Sequence, residues 1–185
     1  MVDPPHGHPS GQIALYAIEF GCPEHAQGLR AIERVAGERF IAIGMAAVAE
    51  GDPTPTTILE DRARRRQLYV AMADGKTLAG FLIWSPKDGR AYIEEVSVHP
   101  DHAGHRLAAR MIDRLAADVR GRYAALSLTT FRDVPWNAPY YANLGFRELS
   151  RADAGPEHEE SWHHQAENGL DMTQRLFMLR PVLAS

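Results

Sequence analysis

The stretch that most constrains the fold spans residues 90–112 and reads RAYIEEVSVHPDHAGHRLAARMI. Residues 92–98 are apolar or β-branched at most positions, which predicts a buried strand. Pro100 ends this strand, because proline has no N–H group to give to the sheet. Every fourth residue from 107 to 115 is apolar, which predicts a helix over residues 103–119 with one apolar stripe. The stretch is therefore expected to fold as a strand, a tight turn and a helix.

The turn before this helix is a candidate anion site. The first N–H groups of a helix have no partner within the helix, and they lie at the positive end of its dipole. A phosphate is a typical ligand for such groups, and Gly104 would let it approach the backbone closely. Many strand–turn–helix units bind nothing, so this stretch alone leaves a purely structural role equally open.

A second stretch favours the anion site over a purely structural role. Residues 134–149 read VPWNAPYYANLGFREL and follow an apolar segment at residues 124–130, which predicts a further strand. Together the two stretches resemble the GNAT superfamily of acyl-CoA-dependent N-acetyltransferases, whose pattern joins a strand ending in Val-x-Pro to a later Asn and Tyr-x-x-x-Gly-Phe. The matching residues are Val98-His99-Pro100, Asn137 and Tyr141-Ala142-Asn143-Leu144-Gly145-Phe146. The resemblance covers residues 66–149.

The resemblance implies an α/β (α+β) GNAT fold. Its central sheet would be mixed but mostly antiparallel, with about six or seven strands that splay apart between the fourth and the fifth, flanked by about four helices. The turn signals Ala73-Asp74-Gly75-Lys76 and Pro86-Lys87-Asp88-Gly89 agree with this, since they divide residues 68–98 into three antiparallel strands. One such domain is expected over residues 11–185, after a disordered tail at residues 1–10.

The phosphate loop that the resemblance implies departs from the family pattern at two positions. It comprises Ala103, Gly104, His105, Arg106, Leu107 and Ala108. Ala103 stands where Arg or Gln is usual, and Arg106 stands where the middle glycine is usual. Arg106 fits the pattern if its backbone is helical, and its guanidinium then meets a phosphate directly.

The resemblance also implies the remaining contacts to the co-substrate, acetyl-CoA. The backbone N–H groups of Val96 and Val98, on either side of Ser97, would hold the thioester carbonyl and the pantetheine amides. Donors that are fixed before charge develops stabilise such a carbonyl well. Asn137 would hydrogen-bond the pantetheine arm.

Acetyl transfer to an amine needs a base, because an amine with a pKa of ~10.4 is almost entirely protonated at pH 7. Glu94 and Glu95 lie in the predicted strand beside the acetyl site, and alternation predicts that they point to opposite faces. Glu94 is the first candidate for the base and Glu95 the second. A third interpretation makes both carboxylates polar residues near a strand end, without a catalytic role.

Tyr141 is the candidate acid. It matches the family tyrosine, and a phenol pKa of ~10 is close enough to a thiol pKa of ~8.5 for proton donation to a departing thiolate. A core position is the alternative interpretation, since Tyr140 and Tyr141 are adjacent and both can pack.

Composition limits the partners. A net charge of −4 argues against nucleic-acid binding, and no apolar run is long enough to span a bilayer. The first ten residues lack the basic and apolar regions of a secretory signal. Cys22 is the only cysteine, which predicts a reducing, cytoplasmic setting. The sequence thus predicts a cytoplasmic monomer or homodimer that binds neither nucleic acid nor membrane.

Two clusters of histidine or arginine residues are not interpreted as binding sites. No metal site is expected from His99, His102 and His105, because the first two flank a proline turn and do not share a helix face. Residues 62–66 hold four arginines, which a solvated helix face explains better than an anion site does.

Two functions remain open at this point. The first is a working acetyltransferase that uses acetyl-CoA on a small-molecule or peptide amine by direct attack, favoured by Asn137 and Tyr141. The second is a GNAT-like module that binds acyl-CoA weakly and serves regulation or assembly, favoured by the altered loop. Glu94 and Glu95 also predict an acidic acceptor cleft that prefers a cationic amine. The acidic segment 151–172 is expected to be a solvated loop rather than a lid.

Overall fold

The computed structural model describes residues 15–182. Its strands are β1 (Tyr16–Phe20), β2 (Leu68–Ala73), β3 (Thr77–Lys87), β4 (Arg90–Val98), β5 (Ala125–Phe131), β6 (Arg147–Leu149) and β7 (Arg175–Pro181). They form one sheet in the order β1-β2-β3-β4-β5-β7-β6. The tail expected at residues 1–10 lies outside the described residues.

The described residues also form seven α-helices. These are α1 (Ala26–Gly37), α2 (Ala46–Ala49), α3 (Thr56–Arg64), α4 (Leu107–Val119), α5 (Ala138–Asn143), α6 (Arg151–Ala154) and α7 (Pro156–Glu167). The expected number was about four, and α2, α5 and α6 are short. Within residues 15–182, no helix is both long and apolar enough to cross a membrane.

The sheet is mixed and mostly antiparallel, as the GNAT fold requires. Only β4 and β5 are parallel neighbours, and their pairing is limited to the registers Ala91–Leu126, Tyr92–Ser127 and Ile93–Leu128. Beyond Ile93, β4 stays paired with β3, while beyond Leu128 β5 stays paired with β7. The two strands therefore separate at their carboxyl ends, and the predicted splay between the fourth and fifth strands is confirmed.

Both predicted turns connect the first half of the sheet. Asp74 (φ 51°) and Gly75 (φ 69°) both have left-handed backbone angles, as a two-residue hairpin turn between right-twisted strands requires. Asp88 (φ 47°) and Gly89 (φ 72°) form the second turn in the same way. Pro86 lies inside β3 rather than in that turn.

Two apolar clusters cover the two faces of the sheet. On one face α4 buries Leu107, Met111 and Leu115, which confirms its predicted apolar stripe. On the other face α1 and α3 pack against β2 and β3 through Leu29, Ile32, Leu59, Ala63, Val70 and Phe81. The same side of β7 packs against α6 and α7, where Phe177 meets Ala154 and Trp162.

The helix predicted over residues 103–119 begins at Leu107 instead. Gly104 (φ 82°) and Arg106 (φ 56°) have left-handed backbone angles, and such residues cannot continue a right-handed helix. The prediction for the acidic segment 151–172 is also wrong. Most of it is helical, in α6 and α7, because His158 and Trp162 are buried against the sheet.

Candidate active site

A β-bulge in β4 determines where the two adjacent glutamates point. The register pairs Ile83 with Glu95 but Trp84 with Ile93, so Glu94 is an extra residue without a partner in β3. An extra residue interrupts the alternation of side chains between the two faces. Two neighbours in sequence can then face the same side of the sheet.

Glu94 and Glu95 do face the same side. Glu94 bonds to Arg62 of α3, and the charge of Glu95 acts on Glu33 of α1. Helices α1 and α3 cover one face of the sheet. The prediction that the two carboxylates point to opposite faces is therefore wrong, because the bulge cannot be read from simple alternation.

The Glu94 carboxylate is fully engaged. Arg62 donates from Nε to Oε2 at 2.9 Å and from Nη2 to Oε1 at 2.8 Å, which is a bidentate ion pair. Ser85 Oγ donates to the same Oε1 at 2.6 Å. Both oxygens of the Glu94 carboxylate are thus bonded to donors of the protein. Arg62 is therefore an ion-pair partner rather than part of a solvated arginine face.

Glu95 interacts electrostatically with another carboxyl group, that of Glu33. Ser97 Oγ donates to Glu95 Oε1 at 2.7 Å, and Thr54 donates to both oxygens of Glu33 at 3.1 Å. Burial raises the pKa of Glu95. Burial, and then the charge of Glu95, raise the pKa of Glu33 to about 8. The pair therefore holds at least one proton near neutral pH, as two close carboxyl groups must.

Two arginines lie on an aromatic wall beside this pair. The Arg39 guanidinium carbon is 5.0 Å from the ring centre of Trp136, and that of Arg175 is 4.4 Å from the ring centre of Phe131. Phe40 joins the two rings, with centroid distances of 5.7 Å and 5.6 Å. Burial lowers the pKa of both guanidinium groups, and both charges act on Glu95 and Tyr141.

Tyr141 lies in the same charged region. Its ring packs at a centroid distance of 5.6 Å from Phe146 and from Tyr140. Burial, and then the charge of Glu95, raise the pKa of the Tyr141 phenol. The hydroxyl therefore carries its proton at neutral pH. The charge of Glu95 thus acts on Tyr141, whereas Glu94 is bonded to Arg62.

Asn137 sits where β5 leads into α5. Its Nδ2 donates to Thr130 Oγ1 at 2.8 Å, which fixes the orientation of the amide. The Oδ1 atom is buried and has no hydrogen-bond partner. A buried acceptor without a donor is costly, and a ligand N–H group would satisfy it.

The loop before α4 has the shape of an anion site, but with an unusual residue. Leu107, Ala108 and Ala109 open the helix, so their N–H groups precede any intrahelical acceptor. Arg106 caps this helix with φ 56° and is exposed. Arg106 does not have the helical backbone that would fit it to the pattern: its angle is left-handed, a conformation that glycine adopts without strain.

A buried hydrogen-bond chain anchors α7 to the sheet. His158 Nδ1 donates to Asp88 Oδ2 at 2.5 Å, and Ser127 Oγ donates to His158 Nε2 at 2.9 Å. The order resembles a catalytic triad, but Ser127 and His158 are fully buried, so no substrate reaches them. Burial lowers the pKa of His158 despite its bond to Asp88, which keeps the ring neutral.

The anchored helix forms one wall of a cleft. The cleft has a volume of about 730 Å³ and lies between β4 and α7. Glu94 and Tyr92 line it from the sheet, and Glu160, Glu167 and His163 line it from α7. This wall is the acidic part of the site.

Sequence reasoning missed Glu33, Arg39 and Arg175. They come from α1, the turn after it and the start of β7, and no spacing rule connects these elements. A signal for α7 was present: Ala154, His158 and Trp162 follow at intervals of four residues. The stripe is masked because a histidine ordinarily counts as polar.

Comparison with known proteins shows which family has this architecture. A family model described as the acetyltransferase (GNAT) family matches residues 29–146. N-acetylglutamate synthase from Neisseria gonorrhoeae, complexed with coenzyme A and N-acetyl-glutamate, superposes with a TM-score of 0.68 at 15% identity. That match covers 93% of this chain but 36% of the synthase, so this chain spans about a third of its length.

Two smaller enzymes match over nearly their whole length. The PaiA N-acetyltransferase from Thermoplasma acidophilum, in complex with coenzyme A, has a TM-score of 0.65 at 14% identity, with 90% of this chain and 99% of that chain covered. The ribosomal-protein-S18-alanine N-acetyltransferase from Escherichia coli has a TM-score of 0.62 at 18% identity, with 92% and 96% covered. With the family model matching well over half of its length, this chain belongs to the GNAT family and is an acyl-CoA-dependent acetyltransferase with acetyl-CoA as its co-substrate.

Proposed function

We propose that the acetyl group moves from acetyl-CoA to a primary amine, in a small molecule or a peptide, by direct attack. The observation that carries this proposal is that Glu95 lies just beyond the last residue of β4 paired with β5, at the splay between the two strands, and that its charge acts on Tyr141. A carboxyl group with a raised pKa and a protonated phenol are the two proton carriers that the reaction needs. The names of the synthase and the S18 enzyme, which describe N-acetylation, agree with an amine acceptor.

The residues around the splay fit acetyl-CoA. The unpartnered Oδ1 of Asn137 suits an N–H group of the pantetheine arm. The backbone N–H groups of Val96 and Val98, flanking Ser97, would hold the thioester carbonyl and the pantetheine amides. The pyrophosphate would bind the loop formed by Ala103, Gly104, His105, Arg106, Leu107 and Ala108.

We assign the base to Glu95 rather than to the first sequence candidate, Glu94. Glu94 forms a bidentate ion pair with Arg62 and also accepts from Ser85, so both of its oxygens are already engaged by the protein. Glu95 has one side-chain donor and a raised pKa, which suits a base that works near neutral pH. Glu95 takes a proton from the acceptor ammonium directly or through a water.

Tyr141 completes the proton balance. The amine nitrogen bonds to the acetyl carbon, the carbon–sulfur bond breaks, and the sulfur leaves as a thiolate. The Tyr141 hydroxyl gives its proton to this sulfur, and the second proton that the nitrogen loses on becoming an amide returns to the Tyr141 oxygen, directly or through water. Water access is limited between separating strands, so a positioned donor there is worth more than one in bulk water.

The α7 wall of the cleft would give the enzyme a preference for cationic acceptors. Glu160 and Glu167 attract an amine that arrives in its protonated form. Such attraction raises the local concentration of the ammonium in the cleft that Glu94 lines, and Glu95, the next residue of β4, would then remove the proton.

A turnover assay with calorimetry tests the proposal. Purified protein, acetyl-CoA and a panel of primary amines are expected to release CoA thiol, and acetyl-CoA alone is expected to give a measurable heat of binding. Matched alcohols serve as the control, because they lack the nucleophile that Glu95 would unmask. Binding of acetyl-CoA without turnover of any amine, or equal turnover of alcohols, would contradict transfer to an amine.

A further inference from the structure

The surroundings of Glu95 contain more positive charge than the reaction requires. Arg39 and Arg175 lie on neighbouring rings of one aromatic wall, and both act electrostatically on the proposed base and acid. A transfer to an amine needs one carboxylate and one proton donor, and it gives these two cations no task. An ammonium group would even be repelled by them.

Neither guanidinium is neutralised by the protein. Within residues 15–182, no carboxylate oxygen lies within 4.0 Å of Arg39 or Arg175, although ten other ion pairs are formed. Arg175 donates from Nη2 to the Thr129 carbonyl at 3.2 Å, and its Nε is buried without any partner. A buried charged donor without an acceptor is costly unless a ligand supplies one.

The nearby carboxyl groups do not balance this charge. Burial and the charge of Glu95 raise the pKa of Glu33 to about 8, so Glu33 is mostly neutral at pH 7. Two guanidinium groups therefore face at most one ionised carboxylate.

We propose that the acceptor bears a free carboxylate close to its amine, as an α-amino acid does, and that Arg39 and Arg175 bind this carboxylate. This inference rests on the proposed acetylation of an amine at Glu95. Planar guanidinium groups bind carboxylates with two parallel hydrogen bonds, which fixes position as well as charge. The carboxylate anchored on the arginines would hold the amine at Glu95, and the acidic α7 wall would exclude acceptors that are purely anionic.

Binding of reaction products tests the inference without relying on turnover. Protein saturated with CoA is titrated calorimetrically with N-acetyl-L-amino acids of small, acidic, basic and aromatic types, each beside its N-acetyl carboxamide. The members of a pair differ only in the carboxylate. For the side-chain type that fits, the acid is expected to bind roughly ten- to a hundredfold more tightly than its amide.

Two variants locate the effect. Arg175→Gln is expected to remove most of the difference in affinity between acid and amide. Arg39→Gln, at an exposed residue of a different element, is expected to do the same. Arg34→Gln, at an exposed arginine of α1, is the matched control and should keep the difference. Amides that bind as well as acids in every pair, or no binding by any acid, would overturn the inference.

Turnover separates this inference from the proposed function. An amino acid amide loses its ammonium proton more readily than the amino acid, so an enzyme blind to the carboxylate would acetylate the amide faster. Faster turnover of the amide in every pair therefore overturns the carboxylate site while leaving amine acetylation intact. Tighter binding of acids without release of CoA thiol would instead support the carboxylate site and contradict the proposed function.

Discussion

At the scale of single residues, Arg106 shows how a family position can change and keep its geometry. The loop still adopts the left-handed angle of a glycine, with φ 56°, although an arginine occupies the position. A side chain at such an angle costs about 1–2 kcal/mol. We infer that a direct contact between the guanidinium and a phosphate offsets this strain when acetyl-CoA is bound.

Arg106→Gly and Arg106→Glu separate strain from charge. Arg106→Gly relieves the left-handed angle and is expected to stabilise the fold by up to about 1 kcal/mol in chemical denaturation, while weakening acetyl-CoA binding. Arg106→Glu is expected to weaken binding further through repulsion of the phosphates. Arg120→Glu, the same charge change at the other end of α4, is the control. An acetyl-CoA dissociation constant that stays the same in both Arg106 variants would remove Arg106 from the site.

Glu33 should set part of the pH dependence of folding stability. Its pKa of about 8 lies above the ordinary carboxyl value, so the folded protein binds a proton between about pH 4.5 and 8 that the unfolded chain releases. This contribution to stability is complete below pH 4.5 and is lost as the pH rises through 8. Glu33→Gln should make the fall in the melting temperature between pH 7 and pH 9 smaller.

The same substitution also has an expected result in the pH profile of the rate. Glu33 is mostly protonated at pH 7 and so adds no like charge while Glu95 titrates, which means that Glu33→Gln should leave the acidic limb of the kcat/KM profile in place. Glu38→Gln, at an exposed position just after α1, is the control. An acidic limb that moves to lower pH in Glu33→Gln, but not in the control, would show that Glu33 is already ionised while Glu95 titrates.

At the scale of elements, the bulge in β4 and the position of α7 were the least accessible to prediction. The strand β4, the helical stripe of α4 and the hairpin turn at Asp74 follow from local patterns, since each depends on neighbours in sequence. The bulge at Glu94 depends on the register with β3, and no local pattern reveals it. Helix α7 owes its position to one histidine whose two partners, Asp88 and Ser127, lie far away in sequence.

The buried anchor of α7 can be tested directly. His158→Ala removes a fully buried ring and leaves Asp88 and Ser127 without their partner, so we expect a loss of about 2–4 kcal/mol in chemical denaturation at pH 7.5. His163→Ala, on the exposed side of the same helix, should change stability by less than about 0.5 kcal/mol. Equal, small effects of the two variants would mean that His158 does not anchor the helix.

The buried His158 also predicts the direction in which folding stability changes with pH. Burial holds the pKa of His158 below its ordinary value of 6.5, so below that pH the unfolded chain binds a proton that the folded protein does not. Stability should therefore fall as the pH drops from 7.5 to 5.5. His158→Ala should show a flatter profile over this range.

At the scale of the whole molecule, the candidate site is assembled from five separate parts of the chain. Residues of β4 and α5 could be predicted because they belong to a contiguous family pattern. Glu33, Arg39 and Arg175 join them only through tertiary packing, when α1 and β7 close around the splayed strands. Sequence could thus locate the co-substrate side of the site, whereas the acceptor side required the structure.

The central claim is that Glu95, and not Glu94, accepts the proton of the amine. The most direct measurement is the pH profile of kcat/KM for the wild type, Glu95→Gln and Glu94→Gln, with the best amine of the panel and with acetyl-CoA affinity measured in parallel. We expect Glu95→Gln to lose about 10²–10⁴-fold in kcat/KM with unchanged acetyl-CoA affinity, and Glu94→Gln to stay within about tenfold of the wild type. A near-normal rate in Glu95→Gln together with a collapse in Glu94→Gln would contradict this account and make Glu94 the base.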